Sequence, residues 1–485
     1  MSKSSYDAIV IGGGFSGLAA TACLARAGKS VVVLEASDHL GGRCAVVSKD
    51  DGFRLPQGPQ TLFALEPALI KSAGLVKAGL KFAVRDMPLV SVRAEGRHIV
   101  FTRNARVTAA NIAVYSKRDA EIWPRYQHEL FDLGRALRPF WGGSQAVLKP
   151  KVREAFDRLA RTSAMAWLDF WFESEALKAA LVFDATADSQ SMLEAGSALA
   201  FVWRASQEMS GLQGAVAFPR GGFHAFAQMM IASAQNAGTE IRTGSVVQSV
   251  LMDGMAAAGV RLNTGEEIYV HTVLSSLPRS TVFQRFLPPL TSGIAVSQRL
   301  GKNPISEARI VVALNAKPQP ALSALPLVAR FVVAERPESY VEAEMAARNG
   351  VLGSELPMEI VIQTALNETL VPEGQHIVSA IIRPVPSKPQ TPWAELQSSL
   401  VERVKITLAR IFPDLPGAIT RIAVQTPDDL PPVTVESGRL TMLPAQRIAS
   451  PVDGLYFCGA DAEPMTAVSG SAARIAAALA SGAAP

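Results

Sequence analysis

Apolar residues run together near both ends of the chain and alternate with polar ones in its middle, and the two patterns predict different kinds of sheet. Asp7-Ala8-Ile9-Val10-Ile11 and Ser30-Val31-Val32-Val33-Leu34 are short continuous apolar runs, as in parallel strands buried on both faces. Between them Leu18, Ala19, Ala22, Cys23 and Leu24 predict a helix that starts near Phe15 and stops at Gly28, a residue suited to a left-handed C-terminal position. Leu89 to Phe101 alternates on both sides of a glycine turn and predicts a hairpin. Ile310–Leu314, Phe331–Val333, Ile360–Ile362 and Ile377–Ile381, separated by Pro- and Gly-rich turns, predict an antiparallel sheet over a substrate cavity.

The stretch from Ser116 to about Met209 is mainly helical in pattern. Ser116 with Asp119 three residues on is a weaker version of the capping box, before Ile122, Trp123, Tyr126 and Leu130. Phe140, Trp141, Trp167, Phe170, Trp171, Phe172 and Trp203 give this region an unusual aromatic load, readable as core packing or as the wall of a hydrophobic substrate channel. Pro219-Arg220-Gly221-Gly222 then precedes a helix over Phe223–Asn236, and strands follow from Glu240 through Leu251 to Ser275-Ser276-Leu277-Pro278. Thr391-Pro392 predicts a packing helix with Pro at its first position and Leu396, Leu400, Val404, Leu408 and Ile411 on one face. Gly454 to Gly470 reads as a buried strand, a glycine turn and the start of an Ala-rich helix.

Candidate chemistry begins in the first turn. Gly12, Gly14 and Gly17 form G-x-G-x-x-G directly after a strand: Gly12 for the tight turn, Gly14 for approach of a pyrophosphate, Gly17 for close helix packing. The helix brings its N-terminal dipole and free N–H groups to the phosphates. Glu35 ends the second strand, where a carboxylate accepts both ribose hydroxyls; an acid there disfavours a 2′-phosphate, which leaves FAD or NAD ahead of NADP.

Glu35-Ala36 followed by Gly41-Gly42-Arg43 resembles the flavin signature of the amine oxidase and phytoene desaturase superfamily, and this resemblance selects FAD. It implies an α/β fold: a Rossmann-type FAD-binding domain built from discontinuous segments, with an antiparallel-sheet substrate domain and a helical subdomain. It also implies that Phe15 and Ser16 at the helix start, Ala36, Gly42 and Arg43 belong to the cofactor site. Asp51 to Gln60 looks like the family's next block, whose turn, here Gly58-Pro59, lies close to the flavin ring. Val247 matches a valine that meets the adenine through its backbone. Gly459, Asp461, Val468 and Ser469 match the closing motif, with the last two supplying N–H groups to the N1/O2 edge of the ring. Phytoene desaturase-like enzymes are the nearest branch. The chain departs from them at Glu463-Pro464-Met465-Thr466-Ala467, where desaturases often carry His-Pro and glycines, and from amine oxidases in the displacement of Asp461 by one position. Glu463 reads either as an acid or base beside the flavin or as a surface salt bridge or helix-start charge.

Composition narrows the remaining classes. With 485 residues, 48% hydrophobic and 19% charged, the chain can bury a large core in two or three interleaved domains. Expected boundaries are 1–75, 215–300 and 430–485 for the FAD-binding domain, 76–115 and 301–429 for the sheet domain, and 116–214 for the helical subdomain. The net charge of +4 is dispersed without a basic run, so nucleic-acid binding is not expected. Cys23, Cys44 and Cys458 lack paired spacing, which argues against disulfides or zinc; they read as buried packing residues, with covalent flavin attachment the alternative. The six histidines show no ligand spacing, and no metal is expected. Residues 1–5 lead into the first strand without an apolar signal region, and no stretch approaches eighteen uninterrupted apolar residues. The expected location is cytoplasmic, with room for peripheral membrane contact; the sequence leaves oligomeric state open. Function is then expected to be FAD-dependent desaturation or dehydrogenation, hydride passing from a carbon of a small hydrophobic, isoprenoid-type substrate to flavin N5. An oxygen-using amine oxidase releasing hydrogen peroxide is the alternative, and a binding or escort protein that reuses the fold is the third class.

Overall fold

The computed structural model describes residues 6–48, 52–56, 58–94, 96–143, 148–187, 190–288, 303–321, 325–430, 438–465 and 468–482. Of the residues singled out above, Asp51, Gln57, Thr466 and Ala467 lie outside the described ones.

Five short strands make one parallel sheet, in the spatial order Glu240–Arg242, Val31–Leu34, Ala8–Ile11, Val273–Ser275, Leu455–Phe457. Ile9 stands between Val32 and Val273, so the strand ends that carry Gly12, Glu35, Ser276 and Cys458 share one edge. Every residue of Ala8–Ile11 and Val31–Leu34 is buried, as a parallel sheet covered on both faces requires. The cover is helical: Phe15–Arg26 packs against Gly222–Asn236 and Ser471–Ala480, with Leu18, Phe226 and Ile475 in the same core. In open sheets of this kind ligands bind outside the carboxyl ends of the strands.

The second sheet has seven strands in the order Ile419–Gln425, Ile305–Leu314, His376–Pro386, Met358–Ile362, Arg330–Val333, Leu89–Val92, Ile99–Phe101. It is not purely antiparallel as expected, because Arg330–Val333 runs parallel to Leu89–Val92. That strand arrives from far upstream as part of the predicted hairpin, so no tight turn dictates its direction. Side-chain alternation splits the sheet into two unlike faces. Ile310, Val312, Phe331, Ile360, Val378 and Ala380 join Leu400, Val404 and Leu408 of the Trp393–Ile411 helix in one apolar core. On the opposite face Glu359 and Ser379 meet Gln60, and Arg309 donates to the Gly58 carbonyl, so charged and polar side chains look toward the nucleotide-binding half. Pro392 is the N-cap of its helix and not its first turn, a shift of one residue.

The helices Lys117–Trp141, Pro150–Leu159, Ala164–Trp171, Glu175–Ala185 and Leu199–Ser206 form a third layer that shares a core with Val332 and Ile381 of the larger sheet. Trp123, Trp141, Trp167, Trp171 and Trp203 are buried in a core shared with Tyr126 and Phe172, whose rings are 4.8 Å apart; Phe170 is exposed. Packing accounts for these indoles. The capping expectation needs correction. Ser116 does accept the Asp119 amide at 3.0 Å, but the buried Asp119 carboxylate turns away to accept the backbone N–H groups of Glu173 and Ser174. Among the described residues no helix is long and apolar enough to cross a membrane.

Candidate functional site

At the edge of the parallel sheet two glycine segments meet backbone to backbone. Gly12 leaves the first strand with φ of 97°, in the left-handed region that favours glycine. Gly14 precedes the Phe15–Arg26 helix and pairs with Gly41, whose N–H donates to the Gly13 carbonyl at 2.9 Å. A β-carbon on Gly42 would stand 3.0 Å from Gly14 Cα. Backbone thus meets backbone at Gly14 and Gly42 beside the helix N-terminus, where first-turn amides have no intrahelical acceptor. Free amides at a helix N-terminus are a cradle that suits a pyrophosphate. Phe15 offers it only backbone, for its ring is turned inward and stacks on Phe226 at 5.3 Å; Ser16 is half-buried beside it.

Glu35 sits across this cradle. Its Oε2 accepts the Gly13 N–H at 2.6 Å, and its Oε1 accepts the Ser37 N–H at 2.9 Å and the Ser37 hydroxyl at 2.8 Å. A carboxylate has about four acceptor positions, so roughly one remains for a ribose and not the two hydroxyls expected. Ser37, which sequence reasoning passed over, takes two of the four through its N–H and its hydroxyl. Ala36 is exposed at the same rim. Gly244 and Ser245 donate to the Ser37 and Glu35 carbonyls, both at 2.8 Å, and bring the start of the Val247–Asp253 strand alongside; Val247 itself is buried.

Beyond the cradle Arg43, Gly58, Pro59, Phe223, Gln363 and Leu370 line a narrow cavity between the two sheets. Gly58 is pressed so close to Arg43 that a β-carbon would lie 2.1 Å from the Arg43 carbonyl oxygen. The Arg43 guanidinium stands 3.7 Å from Glu307 on the charged face of the larger sheet. Cys44 and Cys458 are buried, and burial pushes each thiol up to about 12, as inert packing residues behave. Cys23 is half-buried and its thiol is pushed up to about 11, again by burial.

The closing segment runs from the last strand through Gly459 into a short turn. Cys458 N–H donates to the Ser275 carbonyl at 2.9 Å, and the Asp461 carboxylate accepts the Arg279 N–H at 2.9 Å. Two buried arginines fix the turn's carbonyls: Arg447 donates to Ala462 O at 3.0 Å, and Arg439 to Ala460 O at 3.3 Å. Glu463 is only 1% exposed, so it is no surface salt bridge. Its Oε1 accepts the Ala472 N–H at 2.9 Å inside the first turn of the Ser471–Ala480 helix, a helix-start charge; Oε2 has no hydrogen-bond partner among the described residues. Burial pushes this carboxyl up to about 7, against the pull of Ser469, the Ala472 amide and Arg447. Val468 is half-buried and Ser469 buried immediately before that helix, and the Ser469 carbonyl accepts the Glu66 N–H at 3.0 Å. Glu66 also grips Arg474 through two bonds of 2.7 and 2.8 Å, a tie to the closing helix that no motif announced.

A largely buried charged array on the larger sheet meets the cavity's Gly58 through Arg309. Arg330 donates to Glu359 at 2.6 Å and to Asp184 at 2.5 Å, and Gln60 donates to Glu359 at 2.9 Å while accepting from Ser379 at 2.7 Å. Glu307 is held by Arg309 at 2.6 Å and Arg383 at 3.6 Å. Burial raises the Glu307 carboxyl, but the guanidiniums of Arg309, Arg383 and Arg43 outweigh it and hold the group down at about 2. Asp184 likewise stays well below the usual range, because Arg204, Arg330 and Arg383 overcome its desolvation. The signal was in the strands, where Glu307 with Arg309 and Ser379 with Arg383 repeat polar residues on one face of otherwise apolar runs. Among the described residues no group of three or more His, Cys, Asp or Glu is arranged to hold a metal.

Residues 15–305 match the family described as flavin containing amine oxidoreductase. The chain is 26% identical to the pyridine nucleotide-disulfide oxidoreductase domain-containing protein 2 of Mus musculus, over 98% of this chain and 93% of that one. It is 25% identical to the phytoene desaturase of Neurospora crassa over 59% of this chain and 51% of that one. Its fold is similar to the crystal structure of an oxidoreductase from Methanosarcina mazei, with a TM-score of 0.66, 18% identity, and coverage of 97% and 99%.

Proposed function

The chain belongs to the flavin containing amine oxidoreductase family and its cofactor is FAD, and from that premise we propose that it dehydrogenates a carbon centre of a largely apolar substrate. When bound, FAD supplies a hydride acceptor at N5 of its ring. The protein's part is to bind, orient and exclude water. Gly14, Gly42 and the amides at Phe15–Gly17 would hold the pyrophosphate, Glu35 a ribose hydroxyl, and the backbone near Val247 the adenine. Arg43, Gly58 and Pro59 would flank the ring, and the amides of Val468 and Ser469, ahead of the closing helix, would face its anionic edge. Asp461 and Gly459 would act through the turn they fix. The observation that carries this reading is the close backbone approach of Gly14 and Gly42 at the helix N-terminus, followed by the narrow cavity that Arg43, Gly58 and Pro59 line.

Similarity to a phytoene desaturase favours oxidation of a carbon–carbon bond and an isoprenoid-like chain. The family's description favours a second reading, oxidation of a carbon–nitrogen bond with oxygen as acceptor. An absorption spectrum of the purified protein, followed by anaerobic addition of a polyene or an amine and then air, separates them. Bleaching by the polyene supports the first reading, and bleaching by the amine with prompt peroxide on admitting air supports the second. A protein that takes up flavin but is bleached by neither defeats both. We further propose a cytoplasmic protein that meets its apolar substrate at a membrane surface; its recovery in the soluble fraction and on vesicles tests this.

A further inference from the structure

The charged array beside the cavity is unbalanced. Among the described residues Arg43, Arg204, Arg309, Arg330 and Arg383 gather around only three carboxylates, those of Asp184, Glu307 and Glu359. Setting Arg43 aside for the cofactor leaves, among the described residues, four guanidiniums against three carboxylates, a surplus of one positive charge in a largely buried place. A buried charge without a partner is costly, so such a surplus signals an absent anion.

One member of the array is short of partners. The Arg204 Nε stands 3.5 Å from Asp184 Oδ2, and its guanidinium lies over the Phe63 ring at 3.6 Å, yet no hydrogen bond satisfies its fork among the described residues. Its neighbours differ. Arg330 is bonded to both Glu359 and Asp184, Arg309 to Glu307 and to the Gly58 carbonyl, and Arg383 to Thr186 and the Phe183 carbonyl. Arg204 keeps 13% of its side chain exposed, enough for a small group to reach it. Phe63 comes three residues after Gln60, which is bonded to Glu359 of the array, so this fork lies on the same segment as Gly58 and Pro59, which line the cavity. Phe63 also packs edge-on against Trp203, which gives the fork an apolar flank.

We propose that the substrate carries a single carboxylate, received by the Arg204 guanidinium, while its apolar portion extends along the aromatic flank toward the Gly58–Pro59 cavity. This rests on the dehydrogenase reading above and narrows its substrate class from apolar to amphipathic acids. A guanidinium fork matches the two oxygens of a carboxylate, and a surplus of one charge fits a monoanion better than a phosphate dianion.

The test uses the flavin-loaded protein and three probes, decanoate, decanol and inorganic phosphate, followed by thermal unfolding and by perturbation of the flavin spectrum. Decanoate is expected to bind at least about tenfold more tightly than decanol at neutral pH, the size of one charge-assisted bidentate contact, with inorganic phosphate weaker than either. Arg204→Met should abolish the preference with flavin content unchanged. Should that variant fail to fold, Arg204→Lys carries the test, because a point charge without the fork should lower the preference several-fold. Decanol binding as tightly as decanoate, phosphate binding more tightly than decanoate, or an unchanged preference in the folded variants would each overturn the proposal. None of these readouts involves turnover, so a failed oxidation assay would count against the dehydrogenase reading alone.

Discussion

Gly17 faces Gly12 so closely that a β-carbon on Gly17 would lie 1.9 Å from the Gly12 carbonyl oxygen. The obstacle is backbone, which cannot rotate aside, so the helix start would have to lift off the sheet. Overpacking of this kind costs about 1–3 kcal/mol or more. Gly17→Ala is expected to lower the unfolding midpoint and to weaken FAD retention at least tenfold, roughly the fold-change such a loss produces. Gly28→Ala is the control: nothing lies within 4 Å of a β-carbon there, and only its φ of 83° is strained. That variant should lose about 1 kcal/mol and keep its flavin. Equilibrium dialysis of FAD against both variants checks the contrast.

The Glu35 carboxylate serves the protein before it serves a ribose, since it holds the Gly13 and Ser37 amides. Glu35→Ala should therefore cost about 1–3 kcal/mol even without flavin, the penalty for an amide left unpaired. Denaturant unfolding of flavin-free protein measures it. A loss seen only with flavin present would place the role of Glu35 entirely on the cofactor.

Glu463 sets a pH dependence whose sign is fixed by its burial. The folded group titrates near 7 and its unfolded counterpart near 4.5. Below 4.5 both states are protonated; between 4.5 and 7 the unfolded state ionises first, so stability falls as pH rises through that window and levels off above it. The size is about 3 kcal/mol. Glu463→Gln should remove this fall, and the difference between variant and wild-type unfolding free energies, followed from pH 4 to about 8, is the measurement. Glu307 works the other way: its stabilisation is present above 4.5 and is lost as pH drops toward 2.

Asp119 ties the start of the Lys117–Trp141 helix to the chain at Glu173 and Ser174. Asp119→Ala leaves those half-buried amides without their acceptor, an expected loss of about 1–3 kcal/mol. Urea unfolding should show it, with FAD affinity of the folded protein unchanged because the site lies elsewhere.

The parts of this molecule that repeat a local rule could be read from the sequence. Buried parallel strands, the glycine turn and the Ser116 cap each follow from a few adjacent residues, and the structure has them within a residue or two. What escaped depends on partners distant in the chain. Glu66 with Arg474, and Gln60 with Glu359 and Ser379, are joined across some three to four hundred residues. Glu463 had two readings because its burial, unlike its neighbours in sequence, is decided by how the closing helix docks. Asp119 stood at the right spacing for a capping box, yet a pair of amides more than fifty residues on took its carboxylate.

The strand Ala8–Ile11 pairs with Val31–Leu34 early in synthesis, but its other neighbour, Val273–Ser275, follows more than two hundred residues later, and the edge strand Leu455–Phe457 comes after that. A ribosome therefore displays a half-built nucleotide sheet, with one short apolar strand edge unpaired, while the more than two hundred residues between those strands are made. Closure of such distant pairings is slow and leaves the nascent chain open to aggregation. The yield of this protein should then depend on chaperone supply more than on cofactor supply, because the strand that closes the sheet is made long after the one it completes.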